Sequence, residues 1–250
     1  MAAKIMLEKP IPVIENFDWK KVKEIKIKSS NEKLVSLNMI PERIIVRPQY
    51  FIQGIEGSLP ECYVREGVYD NLLKAADQLP AGYKFLIFDA WRPESVQYEL
   101  FDRLKKEIKR ENPDIGEDIL KEKVEEYVAL PSHKMDSPSP HITGGAVDLT
   151  IIDNKGKELG MGTGFDQTTG ETHTDYYERL KNKRQLNQKE KNILKNRRLL
   201  YNTMISADFT NYPHEWWHYD FGNQVWAFMG EKEHAFYSVA QPELRWKHSY

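Results

Sequence analysis

The segment Gly144-Gly145-Ala146-Val147-Asp148-Leu149-Thr150-Ile151-Ile152 constrains this chain more than any other. Its aliphatic and β-branched residues specify a strand, and their near-continuity specifies a buried one. The diglycine ahead of it lets the backbone fold back as the strand begins. Asp148 stands inside the apolar run, where a carboxylate without a partner is costly. Any fold this chain adopts must therefore bring something to Asp148. A second segment of the same kind, Glu215-Trp216-Trp217-His218-Tyr219, sets two ionisable groups among aromatic rings.

Around these segments the sequence alternates helical and strand patterns. Pro10, Pro12 and Pro41 break the N-terminal stretch and favour extended chain over a long helix. Val68, Leu72, Leu73, Ala76 and Leu79 recur at helical spacing from Glu66 to Leu79, and Pro80 and Gly82 stop that helix. Residues 83–88 read as a buried strand, after which Pro93 sits where a helix over 94–109 begins. A charged helix over 117–128 follows, then loop over 131–140 and a glycine- and threonine-rich loop over 160–174. Asn187 and Glu190 have capping-box spacing at the head of a further helix. Residues 216–221 and 224–228 read as strands. With no βαβ rhythm and no phosphate-binding glycine loop, the expected fold is α+β, a single domain over 1–250 with a mainly antiparallel central sheet flanked by helices. Residues 1–45 are expected to pack on it as an extended segment, and 94–130 to form a helical insertion.

The 250 residues suffice for a full core. A formal charge of −2 supplies no basic field for nucleic acid and no attraction to an anionic membrane. No apolar run approaches the roughly 20 residues of a membrane span, and the N-terminus has no signal-like apolar stretch. A cytoplasmic protein acting on a small molecule or peptide is the expectation, with oligomeric state open. The lone cysteine, Cys62, reads as a half-buried structural thiol.

His141, Asp148 and His218 are of the types that hold catalytic zinc, which takes three protein ligands and leaves one position for water. The residues alone leave a second reading open, in which each imidazole is a satisfied core group and Asp148 bonds a turn. Glu215 could serve such a metal only under one condition. Positions i and i+3 of a regular strand face opposite ways, so Glu215 must lie on a bend near Pro213. Arg92 can equally be an ion-pair partner at a helix start, and Asp166 a turn cap.

The ordered motifs resemble those of the zinc D-alanyl-D-alanine metallopeptidases. The pattern S-x-H-x(6)-D at Ser139, His141 and Asp148, followed by E-x-W-H at Glu215 and His218, carries the likeness. Asp89-Ala90-Trp91-Arg92-Pro93, the Gly160–Asp166 loop and Asn196-Arg197-Arg198-Leu199-Leu200 are similar to the dipeptidase branch. Trp91 departs from that branch's usual tyrosine, and prolines flank Ser139. The resemblance implies a Hedgehog/D,D-peptidase-like fold and one Zn²⁺ per chain held by His141, Asp148 and His218. It further implies Glu215 as general base, Arg92 as transition-state stabiliser, and Ser139 and Asp166 as holders of the substrate's free amine. The implied substrate is D-alanyl-D-alanine or a related small D,D-dipeptide. A D,D-carboxypeptidase or endopeptidase, or a non-catalytic zinc domain, is the alternative.

Overall fold

A computed structural model describes residues 6–14 and 17–242 of the chain. The expectation of an extended segment over 1–45 falls partly outside the described residues. Inside them it is corrected at Trp19–Glu24, a short helix (α1) started by Asp18, whose Oδ1 accepts from the Lys20 amide at 2.8 Å. That cap supplies what the proline-broken sequence withholds, and burial of Val22 holds the turn in place.

Five strands make the central sheet: β2 (Ile44–Val46), β4 (Lys84–Asp89), β5 (Ala146–Ile152), β6 (Thr210–Asn211) and β7 (His218–Asp220). They lie in the order β2-β4-β5-β7-β6, and every pairing except β2 with β4 is antiparallel. A separate ribbon pairs β1 (Leu34–Ser36) with β3 (Tyr63–Arg65). The expected α+β, mainly antiparallel architecture holds. All of β5 is buried, which is why its sequence lacks the alternation of a one-faced strand.

Helix α3 (Glu66–Ala76) and the long α7 (Gln188–Ile205) join the sheet in one apolar cluster through Val68, Leu72, Leu199, Leu200 and Met204. Burying each such side chain stabilises by about 1.5–3 kcal/mol. Asn187 caps α7 reciprocally: its Oδ1 accepts from the Glu190 amide at 2.9 Å, and its own amide donates to Glu190 Oε2 at 2.8 Å. The short α2 (Gln49–Ile52) brings Tyr50 under the sheet's end. Helices α4 (Glu94–Glu111) and α5 (Glu117–Glu125) form a hairpin closed by Leu104, Leu120 and Val124. Helix α6 (Tyr176–Lys183) packs on α7, where Glu178 receives both Arg198 Nε at 2.7 Å and Nη2 at 2.8 Å.

Residues 224–228 are not a strand. They form helix α8 (Gln224–Met229), begun by Asn223, whose side chain accepts from the Trp226 amide at 3.0 Å. Gln224, Val225, Trp226 and Ala227 are all buried, so the segment shows no polar face from which to read a helical period. The strand expected over 216–221 shortens to His218–Asp220, because Trp216 and Trp217 belong to a turn.

Candidate metal centre and active site

Strand register assembles the site. Asp148 pairs with His218 across β5 and β7, and with Asp89 across β5 and β4 past a bulge. Directly opposed residues share a sheet face, so three ionisable side chains converge on one spot. His141 arrives from a single 3-10 turn, His141–Thr143, that ends on Gly144 in the left-handed region at φ +70°. Gly145 is required by space: a Cβ there would meet the Phe221 carbonyl at 2.6 Å. The diglycine therefore turns the loop into β5, as the sequence suggested, and delivers His141 over Asp148.

The donor atoms already have metal spacing. His141 Nε2 lies 3.2 Å from His218 Nδ1, and Asp148 lies 3.0 Å from His218 Nδ1 and 3.4 Å from His141 Nε2. Ligands about 2.0–2.2 Å from a tetrahedral zinc stand about 3.3–3.6 Å apart. Each imidazole is also aimed by its other nitrogen. His141 Nδ1 meets the Ala90 carbonyl at 2.7 Å, and His218 Nε2 lies 3.1 Å from Asp220 Oδ2. Such outer contacts orient metal-binding histidines and raise their basicity.

Charge makes the same point. Asp148, Asp166 and Glu215 line this pocket with one guanidinium, Arg92, while Asp89 stands behind Arg92 and Asp220 behind His218. Burial pushes Glu215 up to about 8, and Asp148 raises it further. Asp166 is an exposed loop residue, and its carboxyl is raised by partial desolvation where it turns into the cavity, with Asp148 adding to the effect. Burial acts on Asp148 too, but His141 and His218 together outweigh it and hold that carboxyl below the usual range. A dication at the triad would supply the positive charge this carboxylate cluster lacks.

Glu215 meets its geometric condition. Its amide donates to the Tyr212 carbonyl at 3.1 Å, and the His218 amide donates to the Glu215 carbonyl at 3.3 Å, so 212–218 is turn and the strand starts only at His218. The Glu215 carboxylate consequently lies 3.8 Å from His218 Nδ1, on the metal side. Arg92 is buried, donates from Nε to Asp89 at 2.8 Å and from Nη1 to Gln97 at 2.7 Å, and places Nη2 3.4 Å from Asp148. Asp166 lines the same cavity with φ +64°, its carboxylate 3.4 Å from Tyr50 Oη.

Ser139 departs from expectation. Its Oγ accepts from the Ser132 amide at 2.8 Å and faces the Leu130 and Ser132 carbonyls, stapling the 130–139 loop, and it is not among the residues that line the triad's cavity. The flanking prolines explain this, since they hold the segment in a loop that closes on itself. Cys62 is buried, and burial raises its thiol well above the ordinary range, as a structural thiol requires. Sequence reasoning missed Tyr50, Gln97, Asp89 and Asp220. Asp220 carried a usable signal: it stands two residues after His218, on the same strand face.

The cavity encloses about 520 Å³ of space, part of it open to solvent. Tyr127, Val128 and Ala129, from the end of the α4–α5 hairpin, wall it opposite the metal residues. Among the described residues no helix is long and apolar enough to cross a membrane.

The profile of the D-ala-D-ala dipeptidase family matches residues 58–239. The chain belongs to the D-ala-D-ala dipeptidase family. The dipeptidase family's match begins ahead of β3 and runs past α8, enclosing every residue that lines the cavity except Trp19 and Tyr50. A D-alanyl-D-alanine dipeptidase of Synechocystis sp. is 30% identical over 223 residues, covering 84% of this chain and 90% of that protein. One from Escherichia coli is 28% identical over 142 residues, 56% of each. A solved D,D-pentapeptidase, VanY from a VanB-type resistance cassette in complex with Zn(II), is 16% identical with a TM-score of 0.40, covering 87% of this chain and 97% of that one. As a member of the D-ala-D-ala dipeptidase family the chain is a peptidase.

Proposed function

We propose that this peptidase hydrolyses D-alanyl-D-alanine or a related short D,D-dipeptide, with zinc held by His141, Asp148 and His218 and Glu215 as general base. The observation that carries the reading is the buried two-imidazole, one-carboxylate set at metal spacing, with a second acidic side chain, Glu215, beside it in the cleft. When bound, zinc acidifies a water and polarises the scissile carbonyl. Glu215 takes the proton of the attacking water and returns it to the leaving amine. Its raised affinity for a proton suits both halves of that task. Arg92, fixed by Asp89 and Gln97, faces the developing oxyanion with Nη2. Asp166 receives the substrate's ammonium group, and the hairpin wall at 127–129 leaves room for a dipeptide rather than a long peptide stem.

The test is a panel of L,L-, L,D- and D,D-dipeptides and longer stem peptides, assayed with metal-loaded and chelator-stripped protein. The expected result is hydrolysis of D,D-dipeptides alone, lost on stripping and restored by zinc. Full activity without metal, or equal rates on long stems, would overturn the proposal.

A pH dependence follows from Asp166. Its carboxyl, pushed up to about 6 by partial desolvation where it faces the cavity, binds an ammonium only when ionised. Binding is therefore present above that value and is lost as pH falls through it. kcat/KM on a dipeptide is expected to show an acid limb near pH 6. Asp166→Asn should lower kcat/KM at neutral pH by about tenfold or more, the worth of one charge-assisted contact, and should flatten that limb. An unchanged limb in the variant would remove Asp166 from amine recognition.

A further inference from the structure

A second cluster of ligand-type side chains stands outside the cleft. Glu126, just past α5, His173, in the loop before α6, and His214, in the turn before Glu215, each offer one donor atom, and the three atoms lie within 4.8 Å of one another. All three residues are half-buried. The two imidazoles stack at 4.6 Å with their planes 12° apart, an arrangement unfavourable for two cations. Burial, followed by the neighbouring His214, lowers the proton affinity of His173 and keeps it neutral, the form that binds metal.

The surroundings hold this cluster as a ligand set is held. The segment bearing His173 is sewn to the turn bearing His214: the Thr174 amide donates to the Pro213 carbonyl at 2.9 Å, and the Trp216 amide to the Thr172 carbonyl at 3.1 Å. His214 Nδ1 faces the Glu126 main-chain carbonyl at 3.3 Å and Tyr212 Oη at 3.3 Å. With Nδ1 donating to that carbonyl, Nε2 keeps its lone pair. His141 is oriented in the same way, through the Ala90 carbonyl. Among the described residues, no side-chain hydrogen bond or ion pair engages the Glu126 carboxylate or the His173 imidazole, so both remain available to a shared ion.

We propose that Glu126, His173 and His214 form a second site for a zinc-class dication, distinct from the one in the cleft. Two imidazoles and a carboxylate are a zinc donor set, with the remaining position open to water on the exposed side. The donors must close from within 4.8 Å to about 3.3–3.6 Å, a movement half-buried side chains can make, and this makes the site weaker than the cleft's. The consequence is mechanical. Glu126 directly precedes Tyr127, Val128 and Ala129 of the cleft wall, and His214 directly precedes Glu215. An ion bridging them pins the α4–α5 hairpin to the turn that carries the general base.

The experiment is a titration of the full chain, already loaded with one equivalent of zinc, with further Zn²⁺, read by calorimetry and by metal content after dialysis. A second equivalent is expected to bind. His173→Ala and Glu126→Gln should each weaken that equivalent by more than about tenfold while retaining the first, since removing a ligand costs at least what removing its outer contacts does. His141→Ala should lose the first equivalent and retain the second, which separates this proposal from the reading of the cleft. Circular dichroism checks that each variant is folded. Amide exchange over residues 117–130 should slow on binding the second equivalent in the wild type and in no variant of the cluster. A chain that saturates at one equivalent would overturn the proposal. So would a second equivalent whose affinity is the same in His173→Ala and Glu126→Gln as in the wild type.

Discussion

Glu215→Gln is expected to lower kcat on a D,D-dipeptide by about 10²–10⁴, the usual contribution of a positioned general base, with zinc content unchanged. Glutamine preserves the shape and hydrogen-bonding length of the side chain but cannot take a proton. Because Glu215 lies 3.8 Å from His218 and outside the ligand triad, its loss leaves the three donors in place. It also removes one buried carboxylate from an acid-rich pocket, so the folded protein should be no less stable, and its midpoint of thermal unfolding may be compared directly with the wild type. A kcat within fivefold of wild type would transfer the proton chemistry to another group.

The second large effect is structural. Arg197, on α7, is 1% exposed and donates from Nε to the Met161 carbonyl at 2.8 Å, from Nη1 to His173 at 2.6 Å and from Nη2 to Glu171 at 2.6 Å. Its guanidinium lies 4.9 Å from the centre of the Tyr177 ring. Burial lowers its pKa to about 10, so it stays charged at neutral pH. One side chain thus ties both ends of the loop that presents Asp166. Each hydrogen bond from a charged donor is worth about 1.5–3 kcal/mol, and the variant leaves three carbonyls without a donor. Relief from burying the cation offsets part of this. Arg197→Leu is expected to cost about 3–5 kcal/mol, a fall of roughly 6–20 °C in Tm for a domain of this size. Arg197→Lys, which keeps the charge but not the three-pronged geometry, should fall between the two. A Tm within 2 °C of wild type for Arg197→Leu would show that the loop is held by other contacts.

How far the sequence discloses the site depends on what kind of cause places each residue. Asp148 is legible because its neighbours bury it and physics then demands a partner. The turn at Glu215 is legible as a condition, since i and i+3 cannot share a strand face. Helix α7 is legible from its cap at Asn187 and Glu190. Helix α8 is not, because burial on every side of Val225 and Trp226 erases the polar face that reveals a period. Ser139 misleads because a motif spacing says nothing about which way a proline-flanked loop closes. Tyr50 meets Arg92 from 42 residues away and Gln97 from five, across the start of α4, and no local pattern marks a contact that exists only after the chain has folded.

The pairing of β5 with β7 also bears on how the chain matures. His141 and Asp148 precede His218 by 77 and 70 residues, so a partly folded chain holds only two of the three donors. A slip of one residue between these strands would send the His218 imidazole to the far side of the sheet. Affinity for the ion therefore belongs to a single alignment, and by mass action the ion enriches that alignment over its neighbours. A cation held by these three donors would thus also proofread strand alignment during folding.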